Sequence, residues 1–137
     1  MEIQTFFLAE QITRHPDNRH DVQRAALAFF ECTPQTPFPV RFTFPGLILL
    51  RRELIDGETP FTLRVDLVDE DGRPVGQPRG SLIEGVFPPG PRFYTLMGKF
   101  DFEFPRPGSY RLDISLDDEF AGNVFSYNID LWLRKGT

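Results

Sequence analysis

The residues best able to do chemistry in this sequence lie in two acidic turns and one short loop with histidines. The turns are Asp69–Asp71 and Asp117–Glu119, and the loop contains His15, Asp17 and His20. Ca²⁺ prefers carboxylate and carbonyl oxygens, whereas imidazole together with carboxylate suits Zn²⁺. Calcium bound by the two turns and zinc bound by the loop are therefore the first hypotheses to weigh.

Neither metal set is complete. The strands predicted between the two acidic turns alternate in direction, so the turns are expected at opposite ends of the domain. The loop has no third histidine and no cysteine to complete a zinc site. Cys32 has no histidine close in sequence, and the chain lacks nucleophile-elbow and phosphate-binding glycine patterns. We expect solvated turns, no metal, no cofactor and no enzymatic activity, with a metal-assisted hydrolase as a distant alternative.

The composition predicts one packed domain, 1–137, rich in strands. The 137 residues are 40% hydrophobic and 14% aromatic, with 15 Phe, which is too apolar for a disordered chain. Thirteen Pro and eleven Gly disfavour long helices, because Pro removes a backbone donor and Gly carries a high backbone entropy. Many short strands joined by turns fit this composition.

The net charge and the cysteine content limit which partners and which cellular compartment are expected. A formal net charge of -5 argues against a nucleic-acid or anionic-membrane partner, since both require a cationic surface. The single Cys32 cannot form an internal disulfide, which suits a reducing compartment. The N-terminus lacks the pattern of a signal peptide, and no apolar run approaches the ~20 residues of a membrane helix. We expect a cytoplasmic protein.

Alternation of apolar and polar residues predicts the strands. Phe100–Phe104 and Ser109–Leu116 alternate most regularly, and the short connection between them predicts a hairpin. Pro45-Gly46 predicts a turn after the strand Phe38–Phe44. The remaining predicted strands are Gln4–Thr13, Phe61–Val68, Ser81–Phe87 and Val124–Arg134, and Leu47–Leu50 is either a strand or a brief helical turn.

The segment Val22–Cys32 admits two interpretations. Its alanines, Gln23 and Leu27 are good helix formers, and Asp21 is a suitable N-cap. The segment is short, however, and it contains Phe29-Phe30 between predicted strands. We favour a strand that forms a hairpin with the first strand.

About eight or nine such strands predict an all-β fold, an antiparallel two-sheet immunoglobulin-like sandwich. The Cys-Trp-Cys pattern of antibody domains is absent. The stretches Leu63–Val75 and Pro107–Asp117, followed by a closing apolar strand, resemble those of a family of small bacterial domains of unknown function with a predicted β-sandwich fold. That resemblance implies the fold and supplies no catalytic residues.

The last strand predicts a candidate interface. Its alternation puts Tyr127 on the apolar face and Trp132 on the opposite, polar face with Asn128 and Asp130. An exposed indole is more often an interface anchor than a bystander. We therefore take Trp132, Tyr127, Asn128 and Asp130 as candidate interface residues.

Two functions follow as expectations. The first is a non-catalytic interaction or scaffold module that binds a protein partner or itself, with homo-oligomers formed through an edge strand or the Trp132 face. Thr5–Leu8 and Phe38–Phe44 are the predicted edges. The alternative is a small-molecule or carbohydrate-binding domain that uses Trp132 and Tyr127 or the end loops.

Overall fold

The computed structural model describes residues 1–17, 19–26, 28–53, 57–75, 81–116 and 124–133. Within these ranges the chain forms nine strands and no helix. The strands are β1 (Glu2–Arg14), β2 (His20–Ala25), β3 (Phe29–Cys32), β4 (Val40–Arg51), β5 (Thr59–Val68), β6 (Ser81–Phe87), β7 (Phe93–Phe104), β8 (Gly108–Leu116) and β9 (Val124–Leu133). None of the described elements is a helix long and apolar enough to cross a bilayer.

The strands form two sheets, which confirms the all-β prediction. A four-stranded sheet has the order β2-β1-β4-β7 and is antiparallel, and a five-stranded sheet has the order β3-β9-β8-β5-β6. In the second sheet β3 runs parallel to β9, with Phe29 opposite Asp130. The prediction of antiparallel pairing throughout is wrong at this place. Strands β3 and β9 are far apart in the sequence, so no short turn between them requires the antiparallel direction.

Both sheets contribute side chains to one hydrophobic core. Contacts between aromatic rings join the two sheets. The ring centroids of Phe6 (β1) and Tyr127 (β9) are 5.3 Å apart, and those of Phe104 (β7) and Tyr110 (β8) are 5.0 Å apart. Full burial of one such aromatic side chain stabilises a fold by about 1.5–3 kcal/mol. The phenylalanine-rich composition therefore supplies the packing between the sheets.

The turn predicted at Pro45-Gly46 is wrong, because β4 continues through it. Strand β4 pairs with β7 at every position from Val40 to Arg51. A Cβ on Gly46 would lie 2.7 Å from Cε2 of Phe100 and 2.9 Å from Cε2 of Phe6. The glycine makes room for two core rings instead of turning the chain.

The hairpin predicted between Phe100–Phe104 and Ser109–Leu116 is also wrong. Strand β7 belongs to the four-stranded sheet and β8 to the five-stranded sheet, where β8 pairs with β5 and β9. Residues 105–107 therefore cross from one sheet to the other. A short Pro-containing connection fits both arrangements, and the local pattern does not say which sheet receives the next strand.

The described residues of the segment Val22–Cys32 form strands and no helix, as favoured from the sequence, but they belong to two strands, β2 and β3, and not to one. Strand β2 forms the expected hairpin with β1, and the chain then leaves for β3 past Ala26, whose φ is 61°. The residue pairing supports the predicted edges Thr5–Leu8 and Phe38–Phe44 among the described strands, although β1 and β4 are inner in the strand order. Thr5–Leu8 pair with β4 alone, because β2 pairs with β1 only from Ala9 onward, and Val40–Phe44 pair with β7 alone, because β1 pairs with β4 only from Gly46 onward. The terminal strands of the two sheets are β2, β7, β3 and β6.

Candidate interaction surface

Two aromatic rings stand exposed together on the outer face of the five-stranded sheet. Trp132 of β9 is 51% exposed and Phe29 of β3 is 46% exposed. Their ring centroids are 4.5 Å apart, and the planes meet edge to face at 83°. The parallel pairing of β3 with β9 creates this contact, because it sets Phe29 opposite Asp130, two residues from Trp132. We call Phe29 and Trp132 the aromatic patch.

Alternation explains why both rings face outward. The neighbours Phe30 and Leu131 are buried in the core, so the residues next to them in each strand point away from it. Strand β3 is at the end of its sheet, which leaves the patch at a sheet edge. An exposed pair of large apolar rings on a polar face is typical of a contact surface.

Polar side chains continue this face beyond the aromatic patch. Ser109 donates a hydrogen bond of 2.9 Å from its hydroxyl to Oδ1 of Asp130. Asn128 lies opposite Arg111 in the ladder between β9 and β8. Arg111 in turn donates to Asp113 at 3.0 Å. The aromatic patch therefore borders a surface of paired charges and hydrogen-bonding groups.

Tyr127 lies on the other side of β9. Its ring is half-buried against Phe6, and burial raises the pKa of its phenol, opposed by a hydrogen bond with the Leu8 backbone that lowers it. Of the four candidate interface residues, the fold brings Trp132, Asn128 and Asp130 to one face and places Tyr127 on the core side.

The first acidic turn is held by internal hydrogen bonds. Asp69 is 5% exposed, and its Oδ1 accepts hydrogen bonds of 3.0 Å from the backbone N–H groups of Arg73 and Asp71. Its Oδ2 lies 3.2 Å from a guanidinium nitrogen of Arg106. The bond from the Arg73 amide is the main cause that lowers the pKa of Asp69, and Arg106 and the Asp71 amide add to it against the opposing effect of burial. This carboxylate stabilises its own turn.

The same turn fixes the start of β8. Glu70 Oε1 accepts a hydrogen bond of 2.9 Å from the Ser109 amide, and the Tyr110 hydroxyl donates to the Arg106 carbonyl. Burial raises the pKa of the Tyr110 phenol. We call residues 69–73 together with 106–110 the entry corner, since the chain enters the five-stranded sheet there.

The entry corner bears on the calcium hypothesis. Strand β8 runs from this corner to Leu116, which pairs with Leu63, while Arg111 pairs with Val68 just before the acidic turn. The second acidic turn, Asp117–Glu119, follows the far end of β8 and lies outside the described residues. Among the residues that are described, no group of three or more His, Cys, Asp or Glu side chains is placed to hold a metal ion.

The histidine-containing loop divides into separate pairs. His15 Nε2 lies 2.7 Å from Asp21 Oδ2, and Asp17 pairs with Arg19 at 2.8 Å. His20 Nε2 is buried and has no hydrogen-bond partner in the described part of the chain. Cys32 is buried, and desolvation raises the pKa of its thiol.

Arg52 is a central residue that the sequence reasoning missed. It is 5% exposed, and its guanidinium carbon lies 4.3 Å from the centroid of the Phe87 ring. Its nitrogens donate hydrogen bonds to the backbone carbonyls of Pro88 (2.7 Å), Gly57 (2.8 Å) and Pro91 (3.1 Å). A fourth bond goes to the Thr59 hydroxyl (3.0 Å). One signal was present in the sequence: Arg52 continues the alternation of Ile48 and Leu50, which are buried.

A shallow groove lies over β5 and β6, away from the aromatic patch. It encloses about 520 Å³ and is lined by Pro60, Phe61, Thr62, Glu84, Gly85 and Val86. Glu84 is the only ionisable group among these lining residues. Its walls combine the Glu84 carboxylate and the Thr62 side chain with apolar groups.

None of the curated proteins matches the chain. A family model does match, and it covers residues 4–125, which includes both sheets up to the start of β9. The resemblance to an uncharacterised family is thereby confirmed, and the chain belongs to the Family of unknown function (DUF6941).

Proposed function

We propose that this domain is a non-catalytic protein-interaction module that binds a protein partner through the aromatic patch. The observation that carries the proposal is the contact between Phe29 and Trp132, two rings about half exposed beside the polar side chains of β9 and β8. Trp is among the residues most enriched at interface hot spots, where a large ring fills a pocket of the partner. Asn128 and Asp130 beside the patch supply the polar rim of such an interface.

The position of the patch favours a partner that adds a strand. Among the described strands, β3 pairs only with β9, so the other side of β3 is the edge to which a further strand would add. A segment pairing there would form main-chain hydrogen bonds and cover the two rings in one step. The net charge of -5 supports a protein partner over nucleic acid or an anionic membrane.

An immunoglobulin-like architecture is part of this proposal. The neighbours β1-β4-β7 correspond to strands A, B and E of that fold, and β9-β8-β5 correspond to G, F and C, with β6 in the place of C′. Tyr110, at the crossing into β8, bonds back to Arg106 as the tyrosine of a tyrosine corner does. A cytoplasmic location is also proposed, supported by the single cysteine, buried and unpaired.

Site-specific photo-crosslinking tests the interaction. A photo-reactive phenylalanine analogue at position 29, in cells that produce the domain, is expected to capture a discrete protein, which mass spectrometry identifies. The matched control is the analogue at Leu82, which is 66% exposed on β6 at the other end of the same sheet. The absence of a product from position 29, or the same product from position 82, would contradict the proposal.

Carbohydrate binding is the second candidate. Trp132 offers a flat ring, and Asp130 and Asn128 next to it offer a carboxylate and an amide for sugar hydroxyls. Trp132 is the only tryptophan, so the intrinsic emission reports on this site alone. Titration with a panel of glycans is expected to shift or quench that emission if sugars stack on the ring, and an unchanged spectrum across the panel removes this candidate.

A further inference from the structure

We propose that the chain forms a homodimer by antiparallel pairing of β7 with β7 of a second copy, centred on Phe100, so that two four-stranded sheets become one continuous sheet. This interface belongs to the other sheet from the aromatic patch, and the proposal does not depend on that of partner binding. A dimer would present two aromatic patches, which strengthens binding to any partner that has two sites.

The free side of β7 is a long and regular strand edge. Strand β7 is terminal in its sheet, and it pairs with β4 at twelve successive positions without a register shift. Natural edges are commonly blunted by short length, proline or a bulge. Residues 93–104 contain no proline, whereas the terminal strand β3 has four residues. Strand β7, with 12 residues, is thus the longest of the four terminal strands, since β2 has six residues and β6 has seven.

Charged residues lie along the outer face of this edge. Lys99, Asp101 and Glu103 alternate with the buried rings of Phe100 and Phe102. Lys99 faces Pro45 across the ladder with β4, and it has no ion-pair partner within the described ranges. Among the described residues, no carboxylate of its own sheet therefore neutralises the charge of Lys99.

Arg41 connects the two acidic residues of the same edge. Its guanidinium lies 2.8 Å from Asp101 and 2.9 Å from Glu103. Asp101 also accepts a hydrogen bond from Thr43 at 3.3 Å. A carboxylate has about four acceptor positions, so Asp101 retains capacity for one more cation.

The charges select one register. Pairing that keeps the core side continuous must set odd residues opposite odd residues, because successive side chains alternate between faces. A dimer centred on Phe100 sets Lys99 opposite Asp101 of the second copy, and the symmetry repeats that pair. Centring on Lys99 would set Lys99 opposite its own copy. Centring on Asp101 would set Lys99 opposite Glu103 but also Asp101 opposite its own copy, so of these three registers only the one centred on Phe100 has opposite charges facing and no like charges facing. Opposite charges in directly facing positions stabilise a strand pair and like charges destabilise it.

The position of the β1–β2 hairpin agrees with this register. Arg14 and His20, at the end of that hairpin, line a cavity of about 190 Å³ together with residues 94–97 of β7. The first half of β7 therefore has a neighbour. A pairing centred on Phe100 uses residues 96–104, of which only Leu96 and Met97 line that cavity.

Charge reversal tests the dimer by sedimentation velocity over a range of concentrations. The wild-type chain is expected to form a concentration-dependent dimer, and Lys99→Glu and Asp101→Lys are each expected to abolish it. An equal mixture of the two variants is expected to restore a dimer, because the reversed charges then face each other across the interface. Trp132→Thr serves as the control that keeps the dimer, so failure of the partner-binding proposal and failure of this one are distinguishable.

Disulfide trapping tests the register independently, in a Cys32→Ala background. A mixture of Lys99→Cys and Asp101→Cys is expected to crosslink on mild oxidation, whereas neither variant crosslinks alone. Circular dichroism melts confirm that each variant is folded; Arg41 keeps Glu103 as a partner when Asp101 is changed. A wild-type chain that stays monomeric at every concentration, or a crosslink formed by Lys99→Cys alone, would overturn the proposal.

Discussion

Arg52 and Trp132 are both large side chains at strand ends, and their surroundings are opposite. Arg52 is 5% exposed, donates to four oxygens of its own chain and covers the Phe87 ring. Trp132 is 51% exposed and has the ring of Phe29 beside it. A buried polar group with its bonds satisfied holds the fold together. Burial of a large exposed apolar side chain by a partner is favourable. Arg52 therefore stabilises the fold, whereas for Trp132 we propose a contact role.

The entry corner extends this comparison, because Asp69 has there the same anchoring position that Arg52 has among its four oxygens. Arg52 collects oxygens around Thr59, where β5 begins, and Asp69 collects N–H groups directly after Val68, where β5 ends. One central strand is therefore anchored at its two ends by buried charges of opposite sign. The acidic turn that suggested metal binding in the sequence is explained by this anchoring.

Replacing Arg52 should have the largest effect on stability. Arg52→Ala leaves buried carbonyl oxygens without donors and removes the cation from the Phe87 ring, so we expect the free energy of unfolding to fall by about 3–5 kcal/mol. Urea denaturation measures it. The matched control is Arg51→Ala, since Arg51 is half-buried with a single pair to Glu2 at 2.9 Å, and a loss of about 0.5 kcal/mol is expected there. Equal losses for the two variants would refute the anchoring role of Arg52.

Replacing Asp69 should have the next largest effect, and this effect depends on pH. The folded-state pKa of Asp69 is lowered, chiefly by the Arg73 amide, relative to an unfolded value of about 3.9. Its stabilising contribution is therefore present above about pH 4 and lost as the pH falls through the lower folded-state pKa. Asp69→Asn should be less stable than wild type at pH 7 and should lose less stability below pH ~4. Thermal melts from neutral to acid pH give the stability of the wild type and of Asp69→Asn as a function of pH, and the two curves should converge at low pH. Curves that stay parallel would contradict a stabilising role of the ionised carboxylate.

The Tyr110 hydroxyl should contribute less. Tyr110→Phe removes its hydrogen bond to the Arg106 carbonyl and keeps the ring packed against Phe104, so a loss of about 1 kcal/mol is expected. Tyr94→Phe is the control, because the Tyr94 hydroxyl has no hydrogen-bond partner among the described residues. Denaturant unfolding at neutral pH should separate the two variants, and an unchanged Tyr110→Phe would show that the corner does not need this bond.

The alternation of apolar and polar residues predicted much of this fold, because the pattern of one strand involves only residues that are close in sequence. It gave most strands, and it separated Trp132 from Tyr127 on the two faces of β9. It failed at Pro45-Gly46 and at the supposed hairpin after Phe104, since the packing around Gly46 and the choice of sheet depend on residues far along the chain. Arg52 was missed for the same reason: its acceptors lie five to 39 residues away in sequence.

Replacing Trp132 should have the smallest effect on stability and the clearest effect on contact. Trp132→Thr keeps a good strand former and removes the edge-to-face contact with Phe29, so the free energy of unfolding should fall by about 0.5 kcal/mol. Crosslinking from position 29 should nevertheless disappear, while Leu82→Thr leaves it intact. If Trp132→Thr instead destabilises the chain as much as Tyr110→Phe and crosslinking persists, the indole stabilises the fold, as Arg52 does, and the aromatic patch is not a binding surface.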